Sequence, residues 1–193
     1  MARPDRSAAR RQRLVADLAR TFAELGYRRA TTRELARRCK VQEVVLYRLW
    51  PDKRAMFVAA LEFVAQHAQA IWQRVVRRRR SRQTTAERLL DYEAEHLGEF
   101  GLYRILFAGW SETDDPAIRA ALQAVYTSFV EFLRERIAEH RQQRGGGGGA
   151  SHEATAWAMV GLGTVVSLGR ELQLLDDKAR RQLLASIGRA LLG

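Results

Sequence analysis

The 193-residue sequence predicts an all-α protein: a three-helix, helix-turn-helix N-terminal domain joined to a C-terminal helical bundle. Three observations lead there. Apolar residues recur every three or four positions along nearly the whole chain, and strand-like alternation is absent. Capping residues stand where those patterns begin. Near residue 40, two short helical patterns are separated by only a few residues, with a third pattern close behind.

Leu14, Leu18, Phe22 and Leu25 form the stripe of the first helix. Gly26 follows as the residue best able to take the left-handed terminal conformation, so the helix is expected to end near Leu25, with Tyr27 folding back on its last turn. Thr31 and Glu34 have capping-box spacing, and Thr32 is an equally good cap. Leu35 and Ala36 point inward, and the small Ala36 lets two helices cross closely. Cys39–Lys40–Val41 makes the turn. Val45, Leu46 and Leu49 supply the buried side of the next helix. Asp52, after Trp50–Pro51, caps a further helix expected to run from Lys53 to about Arg80, on the order of 40 Å.

Beyond Thr84 the periodicity predicts helices over 84–98, 100–112, 116–142, 152–171 and 176–191, with Pro116 in a first turn. The run Gly145 to Gly149 lacks the Lys and Ser/Thr of a phosphate-binding loop, so 145–150 reads as a flexible surface linker. The domain boundary is placed at 54/55, giving 1–54 and 55–193.

Charge separates the two ends. Residues 1–54 carry a net +9, residues 55–82 a net +5 and residues 83–193 a net −3, within a total of +11. A polyanion partner bound through the N-terminal part fits that asymmetry. Five Arg between Arg3 and Arg13 read either as a solvated terminus or as an arm that orders along a DNA minor groove. Arg77–Arg80, with Arg74 and Arg82, reads as a solvated helix end, with contact to an acidic partner surface as the second reading, because that helix carries it away from residues 42–48.

A helical hairpin within an ordinary bundle would share the same spacing. The accessible residues of the second short helix favour nucleic acid instead. Gln42, Glu43, Val44, Tyr47 and Arg48 lie on or near its outer side, with Arg33, Arg37, Arg38, Lys40 and Lys53 around them. Polar and aromatic tips read base edges, while Lys and Arg bind phosphate.

Residues 10–60 resemble the DNA-binding domain of the TetR family of transcriptional regulators. The signature is Phe22, Gly26–Tyr27, Thr31–Thr32, Leu35–Ala36, Val41, Leu46–Tyr47, Trp50 and Asp52–Lys53, about a quarter of the chain. The resemblance implies backbone contacts from Thr31, Thr32, Tyr47 and Lys53. It implies base reading by Gln42, Glu43, Val44 and Arg48. Lys40 stands where the pattern usually carries Gly, and a left-handed non-glycine residue costs roughly 1 kcal/mol. Cys39 replaces Ala, and Leu49 replaces an aromatic or His. Glu43 would be repelled by phosphate, so it should either read a cytosine amino group or cap the helix.

For the C-terminal part the resemblance implies a homodimer, because two recognition helices must reach major grooves roughly 34–36 Å apart. Ala156, Gly163, Ser167, Leu184, Ile187 and Leu191 are the expected interface. It also implies a small apolar or aromatic effector among Trp72, Phe100, Tyr103, Phe107, Trp110, Tyr126, Phe129 and Trp157, with His96 and Arg104 as polar anchors.

Catalytic readings are weak. Glu93 and His96 have the spacing of a di-iron Glu-x-x-His, but no second copy occurs. No metal, cofactor or catalytic residue is expected. Lone Cys39 excludes an internal disulfide and fits a reducing cytoplasm, and the apolar run 158–169 is too short to span a bilayer. The function classes are a ligand-released repressor of a double-stranded operator, a DNA-binding regulator without a small-molecule effector, and a helical enzyme or binding bundle.

Overall fold

The computed structural model describes residues 6–77, 82–97, 101, 103–145 and 149–193. Among them the ordered elements are helices: α1 (Arg6–Arg29), α2 (Thr32–Arg38), α3 (Glu43–Tyr47), α4 (Lys53–Arg77), α5 (Thr85–His96), α6 (Arg104–Trp110), α7 (Pro116–Arg144), α8 (His152–Glu171) and α9 (Asp177–Leu192). No helix of the described residues is long and apolar enough to cross a membrane.

Internal packing groups the chain into two units. Met1–His67 with Phe100–Val125 form the first, and Ala68–Glu99 with Tyr126–Gly193 form the second, so α4 and α7 contribute to both. This packing division falls inside α4 rather than at 54/55.

The first unit is built on the stripe expected of α1. Leu14, Leu18 and Phe22 are fully buried together with Leu35, Leu46, Phe57, Leu61, Ile105 and Ile118. Phe22 meets the Phe57 ring edge-on at 4.9 Å, an arrangement favoured by the ring quadrupoles. Gly26 breaks the helical path at φ 74°, ψ 169°, after which Tyr27 stacks on Phe22 at 6.3 Å. Helicity begins at Arg6, so residues 6–13 extend α1 instead of forming a loose arm; residues 1–5 lie outside the described residues. Arg28 reaches Glu112 at 2.9 Å, and Arg54 reaches Asp115 at 3.6 Å.

The second unit packs α5 and α8 against α9. Gly188 permits the closest approach: a Cβ there would stand 2.3 Å from Leu90 Cδ1, so no larger residue fits without moving a core leucine. Thr84 and Glu87 form a complete capping box at α5. Within this unit Arg141 bonds both the Ala150 carbonyl (2.6 Å) and the Thr155 hydroxyl (2.9 Å). Gly145, Gly149 and Ala150 are exposed, and residues 146–148 of the glycine run lie outside the described residues, as does most of the run 77–82.

Candidate nucleic-acid interface

The site begins with how α2 ends. Lys40 takes φ 54°, while Val41 N–H donates to the Ala36 carbonyl (3.0 Å) and Lys40 N–H to the Arg37 carbonyl (3.1 Å). These bonds make a Schellman end with a lysine in the usual glycine place. Thr31 caps the other end of α2, accepting from Glu34 N–H at 3.2 Å. Glu34 does not complete the capping box. Its carboxylate accepts two hydrogen bonds from Arg37 and one from Arg38 on the next turn, and these hold its pKa down at about 2. Arg38 also pairs with Glu24 of α1, so two of the cations expected around the recognition helix are matched by carboxylates.

α3 is a five-residue helix with Gln42 at its N-cap and Arg48 at its C-cap. Leu46 is fully buried, and buried Trp50 donates its backbone N–H to the Leu46 carbonyl at 2.9 Å. The outer side is open: Val44 is 49% and Tyr47 47% exposed, and Gln42 and Arg48 are exposed beside them. Arg33 and Lys40 are exposed on the flanks. These six residues form one accessible surface of apolar, aromatic, amide and cationic groups, the mixture that can meet bases and phosphates together.

The remaining expected contacts are spoken for inside the protein. Thr32 donates its hydroxyl to Glu43 at 2.8 Å, tying the first turn of α2 to the first turn of α3. Lys53 donates to the Tyr27 carbonyl at 3.1 Å, with its ammonium 4.3 Å from the Tyr27 ring. Asp52 caps α4 through Ala55 N–H at 2.7 Å. Arg11 was missed by sequence reading: it bonds the Leu49 carbonyl and lies over the Trp50 ring. Its partners are 38 and 39 positions away, and no local pattern signals such a bond.

The residues expected around an effector are distributed over both units. Tyr103, Arg104, Phe107 and Trp110 belong to the first, and Trp72, His96, Tyr126, Phe129 and Trp157 to the second; Phe100 lies outside the described residues. In the second unit Trp72 is buried against Phe129 (5.1 Å) and Phe132 (5.3 Å), and donates its indole N–H to Glu93 at 2.6 Å. His96 stacks on Tyr92. Trp110 and Trp157 are about half exposed, so neither is a sequestered wall. Periodicity marks such residues as apolar but does not say which side of a helix is covered.

The residues of the expected self-interface differ in exposure. Ala156, Ser167 and Leu184 are buried within the protomer, and Ser167 donates its hydroxyl to the Gly163 carbonyl at 2.8 Å. Gly163 and Leu191 are half-buried, and Ile187 is exposed. The apolar side of α8 that remains uncovered carries Trp157, Val165, Leu168 and Leu172. α8 is apolar on two sides, and the small-residue side is the one turned inward.

The model of the tetR family of bacterial regulatory proteins matches residues 14–60, from the core of α1 into α4. Among the curated proteins, no sequence matches the chain. Solved structures share the fold along the whole chain. A TetR-family transcriptional regulator from Cytophaga hutchinsonii superposes with a TM-score of 0.80 at 16% identity, covering 98% of this chain and 96% of that one. Reduced NemR from E. coli gives 0.76 at 16%, over 94% and 97%. AibR, in complex with isovaleryl coenzyme A and operator DNA, gives 0.69 at 14%, over 95% and 98%. Residues 14–60 thus match the tetR family of bacterial regulatory proteins, and the chain as a whole shares its fold with solved TetR-family transcriptional regulators.

Proposed function

We propose that the protein is a homodimeric repressor that binds a palindromic operator and is released by a small apolar or aromatic ligand. The exposed side of α3 carries the reading: Gln42, Val44, Tyr47 and Arg48 stand open above a buried Leu46, with Lys40 and Arg33 flanking them. Gln42 and Arg48 provide hydrogen-bonding groups for base edges, Val44 an apolar contact, and Lys40 a phosphate contact from its left-handed turn. Two such helices related by a two-fold axis would read two half-sites. An effector that preferred the protomer pose unsuited to groove spacing would release the DNA by population shift. AibR, solved with both an acyl-coenzyme A and operator DNA, supports the same pairing of ligands for this fold.

Gel-shift titration of DNA flanking the protein's own gene tests this reading. A shift removed by unlabelled flanking DNA, but not by random DNA of equal length, is expected. Equal competition by both would reduce the protein to a non-specific binder. The second reading is a regulator without a small-molecule effector. The outward placement of Trp110 and Trp157 favours it, because it removes two aromatics from the expected pocket.

A further inference from the structure

Within the second unit, one carboxylate stands among aromatic rings without a paired cation. Glu93 lies near the end of α5, and its Oε1 accepts the Trp72 indole N–H at 2.6 Å. Trp72 in turn lies against Phe129 (5.1 Å) and Phe132 (5.3 Å) of α7, and Tyr126 meets Phe129 at 6.5 Å. Their planes are tilted by 57°, 38° and 72°, so these rings are not stacked face to face.

Oε2 is the unused group. It accepts no hydrogen bond from the described residues. Nor is it sealed in: Nε of Arg88 and of Arg136 are buried without a partner, whereas Oε2 keeps accessible surface. Glu93 as a whole is half-buried, yet burial is what lifts its pKa to about 7. Dense surroundings with retained access describe the wall of a crevice rather than open surface.

The neighbouring cationic groups are engaged elsewhere. His96, one turn along α5, has Nδ1 2.9 Å from the Tyr92 carbonyl and its ring stacked on Tyr92 at 4.2 Å. Arg136 pairs with Glu135 and Glu139. Its guanidinium lies over the Phe132 ring at 5.2 Å, so one ring of this group already carries a cation on its face.

A metal ion would need more oxygen or nitrogen ligands, and no group of three His, Cys, Asp or Glu among the described residues could hold one. A neutral apolar ligand would shut Oε2 away from water with no partner, which costs stability. An organic cation needs only what is present, a carboxylate for its charge and π-faces for its desolvated head. We propose that Glu93, with Trp72 and Phe129 beside it, receives the ammonium head of a small organic cation whose apolar or aromatic part lies along the rings of α4 and α7. The site's role as an effector pocket rests on the repressor reading above; its affinity for a cation does not.

Benzyltrimethylammonium and benzyl alcohol share a ring and differ in charge. Calorimetric titration of the whole protein without DNA, at pH 8 and matched ionic strength, should show the ammonium binding about tenfold more tightly or better. It should also move the Trp72 indole N–H resonance, a readout that needs no variant. Glu93→Gln keeps an acceptor for Trp72, so it should fold as the wild type does. It should bind the ammonium about tenfold more weakly and benzyl alcohol equally well. Equal affinities of the two probes, an unmoved Trp72 resonance, or undiminished ammonium binding by Glu93→Gln would each overturn the proposal and leave Glu93 a protonated core acid. A gel shift separates the site from its role: ammonium that binds yet leaves the operator complex intact supports the site and counts against release by ligand.

Discussion

Glu93 lies in the second unit with one carboxylate oxygen on the Trp72 indole N–H, beside aromatic rings and with no cation paired to it among the described residues. Burial penalises its charge, and its pKa rises to about 7; the Trp72 hydrogen bond and the His96 charge pull the other way and do not prevail. Because the folded value stands above the ordinary 4.5, the stabilisation is complete below pH 4.5 and is lost as pH climbs through about 7. At 1.36 kcal/mol per pKa unit, and with part of the residue surface still accessible, the loss is about 2–3 kcal/mol. Glu93→Gln keeps an acceptor for Trp72 and removes the titration. Urea unfolding between pH 4.5 and 8 should show the wild type weakening relative to the variant by that amount. A parallel pH profile for the two proteins would show that Glu93 titrates normally.

At the scale of elements, α2 and α3 have seven and five residues, far below the length at which a helix holds by itself in water. Buried Leu35, Ala36 and Leu46 hold them, together with the Schellman end at Lys40 and the Thr32–Glu43 bond. Glu43 therefore has two effects that one substitution can separate. Glu43→Gln retains an acceptor for Thr32 but drops a negative charge next to where phosphate would lie. Stability should change by less than about 0.5 kcal/mol, whereas Glu43→Ala, which leaves Thr32 unpartnered, should cost about 1 kcal/mol. Operator affinity of Glu43→Gln should rise several-fold at low salt, and unchanged affinity in a fluorescence-anisotropy titration would remove Glu43 from the contact surface. The caps and turns of these helices were legible in the sequence because their chemistry is local: Thr31, Gly26, Lys40 and Asp52 each act within four positions. Lys53 was not legible in the same way, since its partner is Tyr27, 26 positions away, and neither was Arg11 over Trp50.

For the whole molecule, the open question is what covers α8. Trp157, Val165, Leu168 and Leu172 recur at intervals that keep them on one side of the helix, and all four are 44% exposed or more. The sequence announced apolar residues on α8 but not their direction, because Ala156, Val166 and Ser167 mark a second apolar side, and that side is the buried one. A contiguous apolar surface of this kind is the usual mark of a protein–protein contact, and a two-fold partner would place α8 against its own copy, an isologous contact. Val165→Glu and Leu168→Glu put a charge on this side without touching the protomer core, so circular dichroism should show unchanged helicity. Sedimentation equilibrium at micromolar concentration should give twice the protomer mass for the wild type and the protomer mass for the double variant. Operator affinity should fall by two orders of magnitude or more, as a protomer holding one half-site loses the second. A double variant that stays dimeric would move the interface off this side of α8, and a wild type that sediments as a monomer would remove the dimer altogether.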